Sequence, residues 1–330
     1  WSMPDDMPLT GGHVRLGSNA GQPMTRRDGI AKVTGAAAYA ADNRPEGCLH
    51  AVFASAGIAR GRVTHLDVAA ARAHPGVVEV MTHENRPPLA QEATDKPTGF
   101  SWVVDVLQDD RVRYAGQPVA LVVAETLEAA TEGARLLSPR YETEPARIGF
   151  EAGEPCVAQK VGIAGPPTRE AGDIEAGRAA AVHRIETEVE TPLQYHNAME
   201  PHAIAAEWEG ERLSVDLPNQ ALVLTRGVIA GWFGIPPENV TLRSPYLGGG
   251  FGSKAVLVGP QILAILAART LGRPVKLALR REQMFGPVQL RGATRQAVSL
   301  GVDADGRLTS IEHHTVAATS TYDDFLEGAS

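Results

Sequence analysis

Apolar and polar positions alternate in short runs broken by glycine and proline, and the runs predict small strands and helices in mixed order. In the first part of the chain, Ala36–Ala41 predicts a short strand around Tyr39 and Cys48–Ala54 a second. Val68–Ala73 is alanine-rich and predicts a helix that His74-Pro75-Gly76 stops. Val77–Met81 is β-branched and predicts a strand. Val112–Tyr114, a turn at Gly116-Gln117-Pro118 and the apolar run Val119–Val123 predict strand, turn and buried strand. Thr126–Leu137 predicts a helix, with Thr126 as N-cap and Glu128 in the first turn. Tyr141–Pro145 predicts extended chain. Together these make an α+β module of about 120 residues.

Residues 146–178 carry turn chemistry (Gly153, Gly165-Pro166-Pro167, Gly172) and little periodicity, which predicts a linker. A second module follows. His183–Glu190 alternates like a strand, and Ala203–Trp208 and Arg212–Leu217 flank Glu209-Gly210, a hairpin turn. Leu222–Phe233 predicts a helix that Gly234 ends, and Val240–Arg243 a strand after a Pro236–Asn239 turn. Then comes Gly248-Gly249-Gly250-Phe251-Gly252-Ser253-Lys254. Pro260–Leu271 predicts an apolar helix with Pro260 at its first position, and Val275–Leu279 a strand. Gln296–Val302 and Leu308–Val316 predict a hairpin. The domain boundaries read from this pattern are 20–146, a linker at 147–180, and 181–330.

Composition narrows the function. The 330 residues carry a formal net charge of −8, which argues against nucleic acid or an anionic membrane as partner. Two cysteines, Cys48 and Cys156, are too few for a disulfide scaffold, an all-Cys zinc site or an Fe–S cluster held by this chain alone. No run reaches the ~18 uninterrupted apolar residues of a membrane span, and the start shows no secretory leader pattern, so no membrane insertion is expected; two reduced thiols favour the cytoplasm, with the periplasm, reached by co-export with a partner, as the alternative.

The glycine loop is the strongest local signal, because bare backbone N–H groups can approach an oxyanion there and Lys254 could add a point charge. A tight structural crossover is the plain alternative. It is not a Walker A loop, since Ala255 follows Lys254, and its glycine spacing is not the dinucleotide-binding fingerprint. Tyr195–His202 holds His196, Glu200 and His202, but Pro201 breaks any helical metal-binding spacing. These side chains are expected to satisfy buried backbone groups or line a cavity. The Asn219-Gln220 amides can donate and accept between strand and helix, or cap the helix. His313 and His314 point to opposite strand faces, and Arg280–Gln283 reads as a solvated loop edge.

Several motifs then line up in one order. The first module carries Arg27-Asp28-Gly29, Lys32-Val33-Thr34-Gly35, Tyr39, Asp42 and Tyr114–Thr126; the second carries Met199–His202, Asn219-Gln220 and Ser244-Pro245-Tyr246-Leu247 leading into the glycine loop. The series resembles the xanthine dehydrogenase and aldehyde oxidoreductase family of molybdenum hydroxylases, from about residue 20 onward, and is most similar to bacterial aldehyde oxidoreductase molybdenum subunits. The resemblance implies an a/b hammerhead domain followed by the first, incomplete part of a molybdopterin-binding domain. It implies a molybdenum–molybdopterin cofactor, as the cytosine dinucleotide, held by its pterin and not by protein ligands to the metal.

By position, Gln220 matches the family glutamine that hydrogen-bonds an oxo ligand of molybdenum. Phe251 matches the residue whose backbone nears the metal, and Gly248, Gly249, Gly250 and Gly252 match the loop beside the cofactor. The implied activity is hydroxylation of an aldehyde or aromatic N-heterocycle with water as oxygen source. Electrons would pass to [2Fe–2S] and FAD partner subunits. Ala255 stands where purine-specific members have a glutamate. The family's later segments, with the Gly-x-Gly-Glu that supplies the catalytic base, are not found, so no catalytic residue is assigned to this chain and the remaining part of the molybdenum subunit is an expected partner. A non-catalytic truncated or docking module of the same fold is the alternative expectation.

Overall fold

The computed structural model describes residues 23, 25–90, 106–157, 161 and 165–319. Of these, the residues up to Ala38 form one compact unit and those from Tyr39 onward another. In the first, the single helical turn α1 (Gly29–Val33) is tied by Lys32 to Asp28 at 2.7 Å, and Thr34 Oγ1 donates to the Ile30 carbonyl at 2.7 Å. The polar, glycine-rich stretch 1–20, which the sequence predicts to be an arm, lies outside the described residues.

In the second unit, chain order runs β1 (Leu49–Ser55), β2 (Gly61–Asp67), α2 (Ala69–Ala73), β3 (Val77–Met81), β4 (Arg111–Val112), β5 (Pro118–Ala124), α3 (Leu127–Leu136) and β6 (Ser138–Thr143). It continues with α4 (Ile174–Ala180), β7 (His183–Thr191), β8 (Gln194–Tyr195), β9 (Ala203–Glu209), β10 (Arg212–Asp216), α5 (Leu222–Phe233) and β11 (Val240–Arg243). Last come α6 (Gly259–Leu271), β12 (Val275–Ala278), β13 (Leu290–Arg291), β14 (Thr294–Val302) and β15 (Leu308–Ala317).

The two sequence modules are not two separate sheets. One seven-stranded sheet runs β11-β10-β9-β12-β1-β5-β3. Its seam is the parallel pair β1–β12, where Leu49 faces Val275 and Ala51 faces Leu277. The physical reason is visible in β5, buried at all seven positions. A strand so apolar needs cover on both faces. Leu121 and Val123 pack into the main core with Ile262, Leu263 and Ile265 of α6. Ala120 and Val122 pack on the other face with Ala71, Val80 and Leu137. The stretch Ser253–Leu271 holds an 18-residue window of mean hydropathy 1.4, long and apolar enough to cross a membrane, but 78% of that window is buried inside this protein, and its α-helical part is α6, packed in the core.

Other expectations met corrections. Ala36–Ala41 is not a strand: the Asp42 carboxylate accepts the Tyr39 N–H at 2.8 Å and closes a 3-10 turn at Ala40–Asp42. The strand β2 has little alternation to announce it and is held by pairing with β4 and β6. The linker is partly structured, with a 3-10 turn at Phe150–Ala152 and α4, whose N-cap Asp173 accepts from Ala176 N–H at 3.0 Å. Pro260 sits one place later than read, since Gly259 opens α6.

Candidate functional site

Two parallel neighbours, β10 and β11, end on the same side of the sheet. Asp216 and Arg243 close that edge with two 2.7 Å hydrogen bonds, and Leu217 N–H donates to the Arg243 carbonyl at 3.1 Å. The chain leaving β10 carries Asn219 and Gln220; the chain leaving β11 carries the glycine loop. Parallel pairing therefore delivers both to one place, the usual position for a crevice beyond strand ends.

Asn219 braces the start of α5 without being its N-cap, which is Ala221. Its Oδ1 accepts from Ala221 N–H at 2.8 Å and its Nδ2 donates to Thr225 Oγ1 at 3.0 Å, which ties down the start of α5. Gln220 faces the loop instead. Its backbone N–H donates to the Lys254 carbonyl at 2.8 Å, and its Oε1 accepts the Gly252 N–H at 3.1 Å. The side chain lies flat over Gly250, where a Cβ would stand 2.4 Å from Oε1 and 2.5 Å from Cδ. With Oε1 engaged, the two Nε2 donors have no partner among the described residues.

The loop itself is shaped for a close ligand. Gly249 and Gly252 sit at φ +93° and +102°, a region side chains avoid. Phe251 adopts φ +55° although it carries a large side chain, and that side chain is 69% exposed. Gly250 is buried, and its carbonyl accepts from Ser253 Oγ at 2.8 Å. The N–H groups of Gly249, Gly250 and Phe251 find no acceptor among the described residues. Three neighbouring backbone donors beside a neutral amide form an acceptor-seeking cradle. The six residues Gln220, Gly248, Gly249, Gly250, Phe251 and Gly252 are thus brought together.

Lys254 differs from its expected role as a point charge for a ligand. Its side chain is wholly buried, and its Nζ donates to Glu200 Oε2 at 2.9 Å and to the Glu200 carbonyl at 2.8 Å. Burial pushes the ammonium's pKa down while the Glu200 carboxylate opposes that shift. Glu200 also accepts the Gly248 N–H at 2.7 Å, so this part of Tyr195–His202 does satisfy buried backbone. His202 is fully buried with neither ring nitrogen paired, and burial, with Lys254 and His196 nearby, pushes its pKa down to about 3. His196 Nδ1 lies 3.1 Å from the Gln289 carbonyl.

Arg281 is more than a solvated edge. It donates at 2.7 Å to Asn197 Oδ1, the Ala198 carbonyl and the Met199 carbonyl, clamping a turn in which Asn197 has φ +38°. One sequence signal could have flagged Lys254: it leads directly into the apolar run Ala255–Val258, where a lone cation must be paired. Nothing local flagged Arg281.

Comparisons with known proteins match both parts of the chain. The family described as "Aldehyde oxidase and xanthine dehydrogenase, a/b hammerhead domain" matches residues 34–145, and the family described as "Molybdopterin cofactor-binding domain" matches residues 158–329. The aldehyde oxidoreductase molybdenum-binding subunit PaoC of Escherichia coli K12 is 36% identical over 297 residues, which cover 89% of this chain and 39% of that protein. Among solved structures, reconstituted CO dehydrogenase from Oligotropha carboxidovorans aligns with a TM-score of 0.76 at 25% identity, covering 88% of this chain and 39% of that one. Quinoline 2-oxidoreductase from Pseudomonas putida 86 aligns at 0.73 and 27%, covering 88% and 38%. The chain therefore spans about two fifths of the length of these relatives.

Proposed function

The chain belongs to the aldehyde oxidase and xanthine dehydrogenase family, and from that premise we propose that it forms the N-terminal part of a molybdenum hydroxylase's catalytic subunit, with the glycine loop and Gln220 as its share of the cofactor site. The observation that carries the proposal is the cradle itself. Among the described residues the N–H groups of Gly249, Gly250 and Phe251 and the Nε2 donors of Gln220 have no partner, and Gly250 leaves no room for a Cβ beneath the glutamine. Such a donor set fits an anionic, oxygen-rich group that brings its own metal.

When bound, the molybdenum–pterin group, as its cytosine dinucleotide, would supply the redox centre at which oxygen from water is transferred to the substrate. The chain's own residues orient that group. The backbone N–H groups of 249–251 donate to it without titrating, and Gln220 offers a neutral amide beside it. The substrate class is an aldehyde or aromatic N-heterocycle, in keeping with the names of the similar proteins and with Ala255 in place of an acidic side chain. The two cysteines, one buried and one exposed, fall short of the four a [2Fe–2S] cluster needs, so clusters and FAD belong on other polypeptides or segments.

The test is native mass spectrometry with molybdenum and pterin analysis of the complex purified from its source. One molybdenum and one pterin for each copy of this chain, with partner polypeptides attached, is the expected result. A chain that purifies free of both, alone, would overturn the proposal in favour of a non-catalytic module.

A further inference from the structure

We propose that Glu200 and Lys254 are positioning residues that set the shape of the glycine loop from beneath, and that Lys254 never touches the ligand the loop receives. The pair is placed to do this. Lys254 is the largest wholly buried side chain among the described residues, and the Glu200 side chain is 8% exposed. One carboxylate oxygen, Glu200 Oε2, accepts both Lys254 Nζ at 2.9 Å and the Gly248 N–H at 2.7 Å. The Glu200 N–H donates back to the Gly248 carbonyl at 3.0 Å. At the other end of the loop, the Lys254 carbonyl accepts the Gln220 N–H at 2.8 Å. Two residues thus join the entry of the loop, its exit and the glutamine that lies over it.

Fit is equally close at the entry. A Cβ on Gly248 would stand 2.5 Å from Glu200 Cβ, so loop and carboxylate stem touch with no slack. Stability alone does not account for such a pair, because two buried charges recover little beyond their desolvation. Glu200 Oε1 has no hydrogen-bond partner among the described residues, a cost that a pair selected for stability would avoid. What the pair does secure is direction: an ion pair and a charge-assisted bond at fixed lengths hold Gly248 in one place, and the free N–H groups of 249–251 follow from it.

The experiment uses the complete complex with the wild-type chain, E200Q and the double variant E200L/K254M. The double variant removes both charges together, so no lone charge stays buried. Amide hydrogen exchange of the segment 248–252 is read beside thermal unfolding and the molybdenum and pterin content. The double variant is expected to unfold near the wild-type temperature, yet to exchange the segment at least about tenfold faster and to lose cofactor in proportion. E200Q keeps an acceptor for Gly248, and Lys254, whose pKa burial already pushes down and the carboxylate no longer holds up, sheds its proton, so no lone charge stays buried and both readouts should return to within about threefold of wild type.

Wild-type exchange and wild-type cofactor content in the double variant would overturn the inference. So would losses in both variants that only track a lowered unfolding temperature. If the double variant does not accumulate, E200Q decides alone: loss of cofactor with unchanged exchange of the segment would show that Glu200 does not act by position. The inference rests on the loop being the cofactor cradle, and the two fail differently. A wild-type complex without molybdenum or pterin removes the cradle, whereas the exchange rates test the pair whether or not cofactor is present.

Discussion

Gly250→Ala isolates the contact between the loop and Gln220. The added carbon would stand 2.4 Å from Gln220 Oε1, 2.5 Å from Cδ and 3.0 Å from Cγ. Ordinary heavy-atom contacts begin near 3.5 Å, so the amide must retreat by about 1 Å. All three atoms belong to one exposed side chain, and Gly250 is not in a positive-φ conformation, so the backbone need not strain. The stability cost is then about one hydrogen bond, the 3.1 Å bond from Gly252 N–H to Oε1, on the order of 1 kcal/mol. For 330 residues, at about 2.1 cal/mol/K per residue, that lowers Tm by only about 1–2 °C. A group that orients a reacting centre and moves 1 Å can cost about a hundredfold in rate. The expected outcome in the complete complex is near-wild-type Tm and molybdenum content with kcat reduced on the order of tenfold to a hundredfold. In a Gln220→Ala background the same substitution should cost nothing further, because the atoms it strikes are gone. Additive losses in the double variant, or a Tm drop of many degrees, would refute the reasoning.

Two further expectations follow from the surroundings of the loop. His202 titrates near 3 when folded and near 6.5 when unfolded, so its contribution is complete above about pH 6.5 and is lost as pH falls toward 3, at up to roughly 1.4 kcal/mol per pH unit. His202→Leu should flatten the urea midpoint's dependence on pH across that window, and an unchanged slope would rule out the buried imidazole as its source. Arg281→Lys cannot reach three acceptors with one ammonium. It should lower Tm by about 1–2 °C and loosen the Asn197–Met199 turn, read as faster amide exchange there; full protection would show that the clamp is dispensable.

Local chemistry was legible in the sequence wherever one residue decides it. Thr126 accepts the Ala129 N–H at 3.1 Å as the N-cap of α3, and Gly234 ends α5 at φ +64°. The hairpin of β9 and β10 forms as read, but its turn lies one place later, at Gly210-Glu211, because Glu209 pairs with Arg212. The site was legible as a set of positions, because the ordered motifs marked Gln220 and the loop. Its supports were not. Lys254 meets Glu200 across 54 residues of chain and Arg281 meets Asn197 across 84, and no local period encodes such meetings. The same limit hid the shared sheet, since the pairing of Leu49 with Val275 depends on two strands far apart in the chain.

That pairing also has a consequence during synthesis. Strand β1 can pair with β5 as soon as residue 124 emerges, but its other edge waits for β12, about 150 residues later. At roughly 5–20 residues per second the wait is about 8–30 s. Through that interval an almost wholly apolar strand pair presents an unpaired edge, the kind that recruits other chains. The nascent protein therefore depends on whatever shields that edge on the ribosome, and slowing translation between residues 124 and 275 should raise its aggregation more than the same delay placed after residue 278.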